Sequence, residues 1–514
     1  MKTVHPILRL LLCFAPLALA AAGAAGPAPF QFEVSQSKSL PAAPREGRLF
    51  LILSPTNNPE PRVTLGRTGL GAPEVLARDV NAFAPGATAV LDPTAFAFPL
   101  TNLSALPPGD YYAQALFDSD TDLRSPHAPG NLYSQPQKLH LDPARGGAWK
   151  LELTQQIPPD LLPADTEQVK FVKIQSKRLS EFHGRPIFLR AAVVLPRDYG
   201  RETSRRYPLW VRIGGLNSRC AGVLGQMERK TEFRDAWLAD DAPRFIFLQL
   251  DGAGPNGDPY YVNSANNGPY GDALVEELIP HIEATFRAVA QPRARFVSGV
   301  STGGWVCLAL QVFYPDFFNG AWASCPDPVD FRALELLNIY NDENAYVNKY
   351  GNERPSARDP NGDVKLLMRR EVGVENLLGR GNSYTRSGEQ WGAWTAAFSP
   401  RGADGRPVPL WDPQTGRINH DVAAQWKKYD LRLVLEANWK TLGPKLRGKI
   451  HIAAGEADTY FLNNAVHLLD QSLAKADPPF VGKIVYGPGK GHGWMDLSIR
   501  QMLDEMAAAA AAVR

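Results

Sequence analysis

The stretch Arg295–Phe313, RFVSGVSTGGWVCLALQVF, is two apolar runs joined at a serine boxed by glycines. The first run reads as a strand buried on both faces and the second as a buried helix. Between them, Gly299-Val300-Ser301-Thr302-Gly303 is a GxSxG motif in a strand-to-helix setting. So sharp a turn strains the serine backbone, and the glycines two before and two after it remove side chains that would collide with neighbouring chain. The Ser301 hydroxyl is then held clear at the top of a sheet, over a helix N-terminus, where a nucleophile is needed.

Working outward, YPLWVRI, RFIFLQL, GAWASC, KIHIAAG and KIVYGPG repeat the same short, nearly continuous apolar pattern. Val169–Ser176 and Ile187–Leu195 read as an opening β-hairpin. Helical segments lie between several of these runs. In GDALVEELIPHIEATFRAV, residues Val275, Leu278, Ile279, Ile282, Phe286 and Val289 form one apolar face, and Asp272 stands near the helix start, where a negative charge suits the dipole. The chain closes on an amphipathic helix with Ile499, Met502, Leu503 and Met506 on one side. Strands alternating with helices predict an α/β fold with a doubly wound, mostly parallel sheet, whose chemistry lies just beyond the carboxyl ends of the strands.

A serine hydroxyl needs a base to take its proton and a carboxylate to fix that base's tautomer. After this type of strand-serine-helix turn the order along the chain is serine, acid, histidine. Of the histidines that follow Ser301, His451 sits inside an apolar strand, His467 in a helical run and His420 in a polar excursion. His492, in YGPGKGHGWMD, follows the last strand in a glycine-rich loop and is the expected base. Asp458, just after KIHIAAG, is the expected acid, with Glu456 its neighbouring competitor and Asp327, after GAWASC, a further alternative that could instead cap a turn. The oxyanion calls for two donors: the backbone N–H of Thr302, and that of Leu216 in the loop GGLNSRC after YPLWVRI.

Upstream, FQFEV, RLFLILS, ATAVLD, DYYAQALF, QKLHL and WKLEL are short β runs spaced by turns, predicting an all-β sandwich over residues 27–154. Leu106, Gly109 and Tyr111 in LSALPPGDYY are similar to the tyrosine corner of immunoglobulin-like domains. The proline-rich QQIPPDLLPADTEQ marks a linker at 155–167, leaving 168–514 for the catalytic domain. Within it, residues 331–446 are rich in Asn, Gly, Pro and Trp, and an insertion of that size is expected to be a cap or lid, unless it lies on the far side of the sheet. Trp391, Trp394 and Trp411 are candidate pocket residues.

The set YPLWVRIGGLNS, NNGPYGDALVEELIPHIEATFR, VSGVSTGGW, GEADTYFLNNAV and GKGHGW resembles the esterase branch of the α/β-hydrolases that includes esterase D, feruloyl esterases and enterochelin esterases. The likeness runs from Val169 to the C-terminus apart from the insertion, and a β-sandwich ahead of such a domain is similar to the enterochelin-esterase arrangement. It implies ester hydrolysis without naming the ester. Many relatives carry His-Gly after the third strand where this chain has Gly214-Gly215, which puts the geometry of that loop in question.

Composition excludes other classes. Charged residues make up 21% with a net charge of +2, so nothing points to nucleic acid. The opening MKTVHPILRLLLCFAPLALAAAGAAG, with Lys2 and Arg9 before an apolar stretch and small residues after it, reads as a signal peptide over 1–26, cut near 20–26, and predicts export to the periplasm or beyond the cell. Cys220, Cys307 and Cys325 remain after cleavage, an odd count, and no Cys/His spacing suggests a metal. DSDTD at 118–122 lacks the glycine and closing glutamate of a calcium loop and reads as a solvated turn. The expected protein is an exported serine esterase with a Ser301-His492-Asp458 triad, no cofactor, and a small-molecule or glycan-linked ester as substrate. A peptidase or acyltransferase would use the same triad, and a glycan- or polymer-binding protein with a degenerate hydrolase domain is the alternative from another class.

Overall fold

The computed structural model describes residues 1, 29–40, 45–69, 71–159 and 161–512. The segment read as a signal peptide, residue 1 apart, lies outside them. The first part is a strand-rich region of β1 (Phe30–Gln36), β2 (Arg45–Ser54), β3 (Glu74–Phe83), β4 (Thr88–Leu91), β5 (Phe96–Phe98), β6 (Gly109–Asp118), β7 (Leu132–Ser134), β8 (Gln137–Leu141) and β9 (Gly147–Gln156). They join in the order β4-β1-β9-β7-β6-β2-β3-β5, with β8 also on β6. Each run expected from the sequence is a strand, and β3, β5 and β7 are additional.

RLFLILS is apolar throughout because β2 is covered twice. Leu49, Leu51 and Leu53 enter the core of the strand-rich region with Phe32, Val34 and Phe117. Phe50 and Ile52 point the other way, where with Val75 and Leu116 they pack on Val374, Leu377 and Leu378. Those three residues belong to the 331–446 interval, so the two parts of the chain share a core. Arg48, fully buried, crosses the same boundary: its guanidinium donates to Asp79 Oδ1 (2.8 Å), the Leu377 carbonyl (2.7 Å) and Asn382 Oδ1 (2.8 Å). Tyr111 Oη donates to the Pro107 carbonyl (2.9 Å).

The DSDTD segment corrects one expectation. Asp118 is buried rather than solvated, 3.1 Å from Arg124 and accepting from Asn131 Nδ2 (3.0 Å). Arg124 in turn donates to the carbonyls of Arg386 (2.8 Å) and Leu378 (3.1 Å), so this turn is a second tie to the insertion.

The second part contains β10 (Val169–Ser176), α1 (Lys177–His183), β11 (Ile187–Val194), β12 (Leu209–Ile213), α2 (Gly222–Glu228), α3 (Glu232–Leu238), β13 (Ile246–Leu250) and the two-residue strands β14 (Asn263–Ser264) and β15 (Gly268–Pro269). These are followed by α4 (Tyr270–Ala273), α5 (Ile279–Thr285), β16 (Arg295–Val300), α6 (Thr302–Phe313) and β17 (Ala321–Ser324). An eight-stranded sheet runs β10-β11-β13-β12-β16-β17-β20-β21, closed by β20 (Ile450–Gly455) and β21 (Lys483–Gly487). β10 and β11 are antiparallel to their neighbours, and from β13 onward every pairing is parallel. The expected opening hairpin pairs as predicted, although α1 fills its connection.

Both sheet faces are covered. On β12, Leu209, Val211 and Ile213 enter a core shared with Leu274, Ile279 and Val306. Trp210 enters the opposite one with Val223, Phe233 and Met502. Ile499, Met502, Leu503 and Met506 are buried as expected on the closing helix. The helix built on Val275, Leu278 and Ile279 contains a π turn at Leu274–Leu278, in which the Ile279 N–H reaches the Leu274 carbonyl. Pro280, lacking an N–H, removes the next α-helical bond and makes that looser turn tolerable.

Between β17 and β20 lie β18 (Pro355–Arg358), β19 (Val364–Leu367), α7 (Met368–Leu378), α8 (Gln390–Phe398), α9 (His420–Trp426) and α10 (Leu431–Leu446). After β20 comes α11 (Asn463–Leu473), and α12 (Ile499–Ala512) closes the chain. Among the described residues no helix is long and apolar enough to cross a membrane.

Candidate active site

Ser301 joins β16 to α6 with φ 59° and ψ −125°, a backbone conformation that costs on the order of 1–3 kcal/mol for a residue with a side chain. The glycines around it make the turn sterically possible. A Cβ on Gly299 would stand 2.0 Å from the Gly303 carbonyl oxygen, and one on Gly303 would stand 2.3 Å from that of Ile213. Gly303 thereby lets the end of β12 close on the serine. A Cβ on Gly215 would come to 3.8 Å from Ser301 Cβ, so the Gly214-Gly215-Leu216 loop passes beside Ser301. Asp258 ties that loop down, accepting from the Asn217 N–H (3.2 Å) and the Tyr260 N–H (3.0 Å). Burial pushes the Asp258 carboxyl up to about 7, against the pull of these two bonds. Thr302 is the first residue of α6, whose leading N–H groups have no acceptor within the helix.

His492 Nδ1 lies 2.9 Å from Asp458 Oδ2. The other carboxylate oxygen of Asp458 accepts the backbone N–H groups of Tyr460 (2.9 Å) and Leu462 (3.3 Å). Asp458 is buried, and the His492 ring meets the edge of Tyr460 with centroids 5.0 Å apart. Burial pulls the His492 pKa down, but the hydrogen bond and charge of Asp458 together with the charge of Asp327 outweigh it, and the net shift is upward.

The remaining candidates fall elsewhere. Glu456, the competing acid, bonds His467 (3.1 Å), which stacks on Tyr486. His451 stacks on Trp322 with centroids 4.5 Å apart, and His420 comes only to 3.9 Å from Glu343. Asp327 does not bond His492. It accepts from Tyr260 Oη (2.5 Å), Thr302 Oγ1 (3.0 Å) and Trp394 Nε1 (3.3 Å) on one oxygen, and the Ser301 hydroxyl lies 3.4 Å from the other. Burial raises the Asp327 pKa despite these donors.

Ser301, His492, Leu216 and Asp327 open onto one cavity of about 630 Å³. Leu65, Arg67, Ser125 and His127 of the strand-rich region form part of its wall, and Glu335, Glu371, Gln390 and Trp394 of the 331–446 interval form another part. Of the three tryptophans expected at the pocket, Trp394 lines it, whereas Trp391 and Trp411 pack on each other with centroids 5.0 Å apart. A second cavity of about 620 Å³, beside Trp439 and Lys475, contains none of these groups. The wall glutamates and Tyr260 belong to no local motif that would single them out before folding.

Cys220, Cys307 and Cys325 are free and buried. Cys325 Sγ lies within 4.8 Å of ligand atoms of Asp458 and His492, where it faces the Trp494 carbonyl at 3.5 Å.

A strained serine at the end of a parallel strand and a loop passing that serine thus border the same cavity as a histidine bonded to a buried carboxylate. The Esterase family model, described as "Putative esterase", matches residues 188–475, and the chain belongs to that family. It is a carboxylic ester hydrolase on an α/β-hydrolase fold. Similar solved structures include an S-formylglutathione hydrolase of Agrobacterium tumefaciens (14% identity, 67% of this chain and 95% of that one, TM-score 0.39). Others are the fluorophosphonate-binding serine hydrolase F of Staphylococcus aureus (14%, 66% and 97%, 0.39) and a ferulic acid esterase of Anaeromyces mucronatus (12%, 69% and 95%, 0.33). No curated protein sequence matches the chain.

Proposed function

We propose that the chain is an exported serine esterase in which Ser301 Oγ attacks the ester carbonyl while His492 Nε2 takes its proton. The tetrahedral oxyanion is held by the backbone N–H groups of Leu216 and Thr302. Its collapse expels the alkoxide, protonated by His492, and leaves an acyl group on Ser301. Water, deprotonated by His492, then attacks that acyl group, and the acid departs as the proton returns to Ser301. Asp458 holds Nδ1–H towards itself, so that Nε2 presents its lone pair, and stabilises the imidazolium formed in each half-reaction. No metal or organic cofactor enters the scheme.

The observation that carries this reading is the His492 Nδ1 to Asp458 Oδ2 bond of 2.9 Å at the rim of the cavity that Ser301 enters. In the same reading residues 27–154 are an immunoglobulin-like sandwich domain, 155–167 a linker and 168–514 a doubly wound hydrolase domain with 331–446 as its cap. The signal peptide directs the protein to the periplasm or beyond.

Hydrolysis of p-nitrophenyl esters and covalent labelling by a fluorophosphonate should both be lost in Ser301→Ala. Equal hydrolysis by parent and variant would remove Ser301 from the mechanism.

A further inference from the structure

The cavity beside Ser301 is walled by more acid than the proposed chemistry uses. Besides Asp327, the wall includes Glu335, Glu371, Glu375 and Glu389. Glu375 is satisfied internally, accepting from the backbone N–H groups of Trp391 (2.9 Å) and Gly392 (2.9 Å) and from Ser387 Oγ (2.7 Å). Glu371 accepts from Trp391 Nε1 (3.2 Å).

Glu335 is different. Its exposure is 3%, it faces the cavity, and among the described residues its carboxylate has neither a hydrogen bond nor an ion pair. A buried carboxylate left alone is strongly disfavoured in its charged form unless it meets a cation. The cations on the wall do not supply that partner: Arg67 is exposed at the rim, His492 is held by Asp458, and burial lowers the pKa of His127. Burial, followed by the charges of Glu371, Asp327, Asp458 and Glu375, raises the Glu335 pKa well above the usual range, the response of an acid whose counter-charge is missing.

We propose that this cavity takes an ester carrying an organic cation, an ammonium or guanidinium group, seated on Glu335 with Glu371 and Glu389 around it. The inference rests on the serine-esterase reading and names its substrate class. A metal ion fits less well. Among the described residues the one set of three ligand groups mutually within 4.8 Å is Cys325, Asp458 and His492, so the wall glutamates do not converge on a coordination sphere. Carboxyl groups spread around about 630 Å³, each able to ionise against an incoming cation, with the rings of Trp394 and Tyr460 in the same wall, suit a diffuse cation that also gains from aromatic faces.

The test uses matched pairs with the full chain. For the acyl side, p-nitrophenyl 4-(trimethylammonio)butyrate is compared with p-nitrophenyl 5,5-dimethylhexanoate, its uncharged isostere. For the alcohol side, acetylcholine is compared with 3,3-dimethylbutyl acetate. At least one pair should favour the cation by tenfold or more in kcat/KM, and Glu335→Gln should cut that ratio about tenfold. Glu371→Gln should cut it in the same direction, which serves if the first variant does not fold. Ratios near one in both pairs would overturn the cation site while leaving the esterase reading standing. If neither pair is hydrolysed, calorimetry of choline against 3,3-dimethylbutan-1-ol decides: tighter choline binding, weakened by Glu335→Gln, supports the site, and equal binding overturns it.

Discussion

Asp458→Asn tests the proposed triad where the geometry is most specific. One carboxylate oxygen of Asp458 accepts two backbone N–H groups, from Tyr460 and Leu462, and the other faces His492 Nδ1. In the variant the amide oxygen must stay with the two backbone donors, since turning the NH2 towards them would oppose donor to donor. The NH2 then points at Nδ1, which has to become an acceptor. The proton moves to Nε2, and the ring presents a donor to Ser301 where a base is needed. In the Ser-His-Asp template this tautomer error costs about 10⁴ in kcat, or about 5.4 kcal/mol of barrier. Glu456 cannot substitute, because it is engaged with His467. A second readout is the pH profile. Because His492 must be neutral to act, and its pKa is raised mainly by Asp458 against burial, the acid limb of the parent should be shifted upward from the ordinary histidine value. In Asp458→Asn the limb should move to lower pH as the rate falls. Activity within tenfold of the parent, with an unmoved limb, would refute the assignment of Asp458.

Gly303→Ala should lower kcat/KM by 10² or more, since its Cβ would stand 2.3 Å from the Ile213 carbonyl oxygen and push the Leu216 loop from the serine; steady-state kinetics on a short-chain ester reads this. Arg48→Met should destabilise the protein by about 3 kcal/mol, because acceptors in Asp79, Leu377 and Asn382 lose a shared charged donor; a denaturant midpoint unchanged from the parent would contradict it.

The framework of the second part was legible because its strands are contiguous apolar runs and its three principal side chains each sit at the end of one. The choice between Glu456 and Asp458 was harder. Both follow β20, and only the packing of α11, which brings His467 to Glu456, separates them. β3 escaped notice because EVLARDVNAF breaks its apolar pattern with Arg78 and Asp79. Each charge has a partner distant in sequence, Asp92 for the first and Arg48 for the second. The same holds for Asp118, whose burial depends on Arg124 and Asn131. Pairings across the fold leave no periodicity in a local window, and neither does a cavity wall assembled from residues as far apart as Leu65, Glu335 and Trp394.

On the proposed reading, the shared cavity would give the strand-rich region a part in substrate capture. With Leu65, Arg67, Ser125 and His127 on one side and Ser301, Glu335 and Trp394 on the other, a bound molecule grips two halves of the chain at once. It works as a clasp. Whatever occupies it binds only while the halves are docked, so its binding energy is added to their adhesion by RT ln(1 + [L]/Kd). Loosening the joint would in turn weaken affinity for that occupant in proportion as the docked fraction falls. Residues such as Phe50 and Arg48, which pack that joint, would on this reading enter the affinity for the ester through the docked fraction.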